Sequence, residues 1–144
     1  MQRYVRVYHG DMAAFLWWIG LYNLLGALLL MVMHDPRVAD WVLRKGTEMV
    51  SEPYEHGRFG RLWLWWSATS NAFLGAIMVL ASRWPSHVQR EVAIAVVTVY
   101  AIMYVVCVIG GRKRPPWGRG VGSLHVLWPA QMAWGAWAVL AAGS

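Results

Sequence analysis

Charge is what this sequence has least of. Asp, Glu, Lys and Arg make up 14% of its 144 residues, against about a quarter in an ordinary soluble domain, so there is too little polar material to clothe a water-facing surface. Cysteine is nearly absent as well. The single Cys107 excludes an intramolecular disulfide and a cysteine zinc site, and it reads as a small apolar core residue. The five histidines are scattered along the chain, which excludes the membrane di-iron oxidases with their clustered sets. Four stretches, 12–33, 62–82, 92–110 and 124–142, contain no Asp, Glu, Lys or Arg at all.

What fills those stretches is apolar: hydrophobic residues are 58% of the chain, and Trp alone occupies 11 positions. A helix rises about 1.5 Å per residue and needs roughly 20 residues to cross a hydrocarbon core of about 30 Å, so each stretch is long enough to span. The runs are continuously apolar rather than alternating, which excludes the strands of a membrane barrel. The first run exceeds the roughly 7 to 15 residues of a signal-peptide core, and no small-x-small cleavage site follows it. The expected fold is an all-α integral membrane protein, a single domain over 1–144. Its four transmembrane helices form an up-down bundle, because short connections make consecutive helices antiparallel neighbours. Between the first two helices, 38–50 has helical spacing, with Val38, Trp41, Val42 and Met49 on one side, and is expected to lie as a short helix at the membrane interface.

A net charge of +6 raises the question of nucleic acid, but its distribution answers differently. Arg37, Arg44, Lys45, Arg58, Arg61, Arg112, Lys113, Arg114 and Arg119 lie in the first and third connections, nine basic residues against four elsewhere, Arg3, Arg6, Arg83 and Arg90. Basic residues in short loops resist translocation. The connections 34–61 and 111–123 are therefore expected in the cytoplasm and both termini outside, with a bacterial inner membrane as the setting. Arg112, Lys113 and Arg114 are also placed to meet anionic lipid headgroups.

The frame Leu-Trp-Trp, four residues, Asn occurs twice, ending at Asn23 and at Asn71. Indoles near span ends reach the interface with their N–H groups while their rings stay buried, and this explains most of the Trp excess. The amides need another reason. On the first helix Gly20, Asn23 and Ala27 follow one another at steps of three and four, and on the second Ser67, Asn71 and Gly75 do the same. Gln131 and Gly135 share a face of the fourth helix, beyond Pro129. Lipid tails are as apolar as Leu, so close approach at small residues and hydrogen bonds from Ser and Asn select which faces meet, at roughly 0.5 to 2 kcal/mol per bond. These residues are expected to pack helix against helix. The third helix, rich in β-branched residues, is expected to face lipid or a partner more than the others do.

No ionisable side chain falls at the expected bilayer centre, which argues against an ion-coupled pump or exporter. The topology instead gathers His34, Asp35, Glu52, Glu55, His56 and His125 toward the cytoplasmic side. His34 and His125 on different helices are the kind of pair that ligates a haem, and one such histidine suffices for a chlorophyll-type pigment. A histidine beside carboxylates also suits proton transfer on a lipid-like substrate. Against both stands the simpler role of interfacial polar residues, so no catalytic residue, no metal site and no resident cofactor is assigned. The third connection to consider is one of kinship. Arg58-Phe59-Gly60 before a Trp-rich helix resembles, over the second helix and its approach only, the sterol-biosynthesis scaffold proteins of eukaryotes. The patterned acids and Arg-Asn of the membrane glutathione transferases are missing.

The leading expectation is a non-catalytic membrane subunit or scaffold, joined to other integral membrane proteins in an oligomer or hetero-complex and surrounded by lipid, with no nucleic-acid partner. The alternatives are a small enzyme or binding protein for an isoprenoid, quinone or sterol-like lipid, and a haem or pigment carrier.

Overall fold

A computed structural model describes residues 2–46, 58–109 and 122–142, with side chains over 11–45, 60–106 and 126–142. The described residues are helical, with turns between, and contain no strand. The elements are α1 (Gln2–Val32), α2 (Pro36–Asp40, continued by a π-helical turn over Trp41–Gly46), α3 (Arg58–Ala81), α4 (Ser86–Met103, continued by π-helical turns over Tyr104–Ile109) and α5 (Gly122–Ala141). Three of these helices contain segments long and apolar enough to cross a membrane: Asp11–Val32, Gly60–Ala81 and Ser86–Val106. Their large side chains are widely exposed, among them Trp17, Leu25, Trp66, Phe73, Val99 and Ile102. Such surfaces are unfavourable in water.

The helices extend beyond the apolar runs, for local reasons. α1 begins at Gln2 rather than near residue 12 because the polar stretch ahead of Met12 contains no proline to stop a helix. Apolarity marks where lipid begins, while caps and breakers mark where helices end. α2 starts earlier than the apolar spacing suggests, since the Asp35 carboxylate accepts the Arg37 amide at 2.8 Å and Pro36 occupies the first turn. Residues 47–50 of the expected interfacial helix lie outside the described residues. α4 opens on Pro85, whose carbonyl accepts the amides of Val88 and Gln89 at 2.9 and 3.0 Å. The buried Gln89 then closes the tight α3–α4 turn by donating its amide to the Ser82 and Trp84 carbonyls, both at 2.9 Å.

α1 and α3 form the closest pair, and glycine is the cause. A methyl group at Gly20 would sit 2.9 Å from the Gly75 carbonyl oxygen, and one at Gly75 would sit 2.8 Å from the Gly20 carbonyl oxygen. Gly26 faces Asn71 further along, so the two helices run antiparallel. α5 meets α1 in the same way: Phe15 packs edge-on against Trp134 at 5.7 Å, and Gly135 admits the Phe15 ring and Val97. One core cluster joins these elements, with Phe15, Leu16 and Ile19 of α1, Met78 and Ala81 of α3, Ala93, Val96 and Tyr100 of α4, and Trp128, Met132 and Val139 of α5. A second, smaller cluster joins Met33, Ala39, Val42 and Leu64 where α1, α2 and α3 meet. Between the two clusters the helices part.

Candidate functional site

The site begins with one amide near the middle of the Asp11–Val32 segment. Asn23 is 5% exposed, and a buried amide left without partners is costly, so both protons of its amide nitrogen need acceptors within the protein. One goes to the Ile19 carbonyl a turn back at 2.8 Å, and the other to the Tyr100 hydroxyl of α4 at 2.7 Å. The Met78 sulfur of α3 lies 3.9 Å from the same nitrogen. Tyr100 stands edge-on to Trp128 of α5 at 5.7 Å, and the Trp128 indole donates to the Tyr22 hydroxyl at 2.8 Å. A polar knot thus ties α1 to α4 and α5 to α1. Both tyrosine hydroxyls accept a bond in it, and neither passes its own proton to any of the described residues.

Below this knot lies a cavity of about 980 Å³, at the upper end of the roughly 300–1,000 Å³ range of small-molecule sites. Its walls are α1 from Tyr22 to Met33, α3 from Trp63 to Met78 and α4 from Val92 to Met103, with Val42 and Leu43 at the far end and Trp128 beside the knot. Rim residues Leu25, Trp66, Leu74, Val99 and Met103 are exposed, so the cavity opens sideways between helices. Among the described residues its lining includes no Asp, Glu, Lys, Arg or His. Polarity on the α3 wall comes from Ser67, Ser70 and Asn71. The Asn71 amide donates to the Ser67 carbonyl of its own helix at 2.8 Å.

Compared with known proteins, the chain matches no family model, no curated protein and no solved structure. The site's own geometry carries its interpretation.

The structure separates the residues singled out from the sequence. Gly20, Ala27 and Gly75 are buried, Gly20 and Gly75 at the α1–α3 crossing, while Ser67 and Asn71 are half-buried on the cavity wall. Gly135 is filled against by Phe15 and Val97. Gln131 is 4% exposed and neither atom of its amide has a partner. His34 is exposed at the end of α1, edge-on to Trp65 at 5.7 Å and away from the large cavity. Asp35 is engaged in capping α2. Glu52, Glu55, His56, the side chain of His125, and Arg112, Lys113 and Arg114 lie outside the described residues. Among the described residues no group of three or more His, Cys, Asp or Glu is placed to hold a metal.

Tyr22, Tyr100 and Trp128 are the functional candidates that sequence reasoning passes over. The signal for Tyr100 is its spacing: with Gln89, Ala93 and Val96 it forms the one buried face of α4. As a whole, its segment is the least buried of the three membrane-length ones, 22% against 33% and 28%.

Proposed function

We propose that the chain is an integral membrane protein that takes an isoprenoid, quinone or sterol-like lipid into the cavity between α1, α3 and α4. In this reading α1, α3, α4 and α5 are four membrane-crossing helices of an up-down bundle. Both termini lie outside, and the connections 34–61 and 111–123 lie in the cytoplasm, with a bacterial inner membrane as the setting. The observation that carries the proposal is the cavity itself: large, uncharged among the described residues, open at a rim of exposed apolar side chains, and polar where α1 and α4 meet. An elongated apolar molecule with a small polar end has the complementary pattern. Among the described residues no histidine or carboxylate lines the cavity, so these walls favour binding over turnover and lend no support to ligation of haem or pigment.

The sequence-based expectation of a scaffold subunit has one observation in its favour. Ser67, Ser70 and Asn71 form a small, half-buried polar stripe on the α3 wall of the cavity, and such stripes drive helix association in membranes. A partner's helix is the rival occupant.

One experiment separates the two. The chain is extracted from its membrane in polymer nanodiscs, and both lipids and proteins are identified by mass spectrometry. We expect a lipid enriched several-fold over the bulk membrane, and reduced in Ser70→Phe, which pushes a ring into the cavity from its α3 wall. Lipid matching the bulk composition, together with a stoichiometric partner protein, overturns the proposal in favour of the scaffold.

A further inference from the structure

Resting on the cavity reading, the geometry points to the class of its ligand: a neutral lipid whose single oxygen, a hydroxyl or a carbonyl, accepts the free hydroxyl protons of Tyr100 and Tyr22 at the head of the cavity. Three observations support this. First, both tyrosines line the cavity, both have their oxygens held from behind, by the Asn23 amide at 2.7 Å and the Trp128 indole at 2.8 Å, and neither has an acceptor for its proton among the described residues. A hydroxyl that already accepts a bond is a better donor, and one buried in apolar surroundings with its proton unused is unfavourable. Tyr100 is only 9% exposed, so the acceptor it lacks must be a group inside the cavity.

Second, among the described residues the lining carries no charged side chain. A phosphate or ammonium head drawn to this depth would lose its hydration with no counter-ion to replace it. Asn23 and Tyr22 lie near the middle of Asp11–Val32, so the ligand's oxygen would sit close to mid-membrane. Only an uncharged head tolerates that position. Third, the described side chains at the opposite end, Met33, Val42, Leu43 and Trp63, are apolar but for the indole N–H, which suits the hydrocarbon tail and orients the ligand head-inward.

The test uses the full-length protein in detergent and four probes on one carbon skeleton: farnesol, farnesal, the parent hydrocarbon farnesane, and farnesyl phosphate, each titrated by quenching of tryptophan fluorescence. Trp63, Trp66 and Trp128 line the cavity and supply the signal. We expect the alcohol and the aldehyde to bind about tenfold tighter than the hydrocarbon, the scale of one buried hydrogen bond, and the phosphate more weakly than the alcohol. Tyr100→Phe keeps the ring against Trp128 and removes the donor. It should abolish the alcohol-over-hydrocarbon preference while leaving hydrocarbon binding in place, which also shows that the variant is folded. Tyr22→Phe should reduce the preference in part. A phosphate that binds as tightly as the alcohol, or a preference that survives both substitutions, overturns the inference and leaves the cavity reading standing. Failure of all four probes, hydrocarbon included, overturns the cavity reading and this inference with it.

Discussion

Asn23 and Asn71 end the same Leu-Trp-Trp frame, yet their amides are spent differently. Asn23 crosses to Tyr100 on another helix, whereas Asn71 bonds the Ser67 carbonyl within its own. Asn23→Leu removes an interhelical bond and leaves the Tyr100 oxygen without its donor, so thermal unfolding in detergent should show a loss of about 1–2 kcal/mol. Asn71→Leu should change stability little and instead lower lipid retention, because it alters a cavity wall. Equal destabilisation by the two substitutions would contradict this division. Gln131 predicts the opposite sign. Its amide is buried with both atoms unpartnered, so Gln131→Leu should raise the unfolding midpoint, corresponding to about 1–2 kcal/mol; a lower midpoint would show that the amide has a partner in the membrane. The small and polar stripes containing these residues are readable from steps of three and four along the chain. Their partners are not: Tyr100 stands 77 residues from Asn23, in a run whose β-branched composition reads as lipid-facing, and tyrosine in such a run is also what an interfacial belt contains.

Helices are held apart or together by what stands at their crossing points. At Gly75 a single methyl group would meet the Gly20 carbonyl oxygen at 2.8 Å and the Leu24 amide nitrogen at 3.0 Å, which are backbone atoms that cannot rotate away. Gly75→Ala should therefore force α1 and α3 apart at a cost of about 1–3 kcal/mol, visible as reduced thermal stability. Gly26→Ala is the control, since the nearest atom to its methyl group would be Asn71 Oδ1 at 3.9 Å, and it should be close to neutral. The same contrast shows which features of the elements are readable in advance. The apolar segments could be drawn directly from composition, because hydrocarbon thickness is a strong constraint. Helix ends could not, since they depend on local hydrogen bonds: the Asp35 cap begins α2, and a proline-free polar stretch lets α1 continue back to Gln2. The π-helical turns after Asp40 and after Met103 have no sequence signal, as no proline or glycine marks their onset.

At the scale of the whole molecule, the charge asymmetry and the cavity bear on each other. The cavity runs from the knot at Tyr22 and Tyr100 toward Met33 on α1, Trp63 on α3 and Met103 on α4, which is the end where the two basic connections emerge. If those connections are cytoplasmic, as nine basic residues against four imply, the rim opens within the inner half of the bilayer, and a ligand enters from that leaflet with its oxygen leading toward mid-membrane. The orientation can be measured with one cysteine at a time on a Cys107→Ser background. Cysteines at Gln2 and Ser86 should react with an impermeant maleimide added to intact cells, and cysteines at Ser51 and Gly120 only after permeabilisation. The reverse pattern would place the cavity in the outer leaflet and change the source of its lipid without changing the chemistry of its walls. A fifth cysteine, at Ser144 beyond α5, tests the number of crossings: an odd number would put it and Gln2 on opposite sides, whereas four crossings require them to react alike.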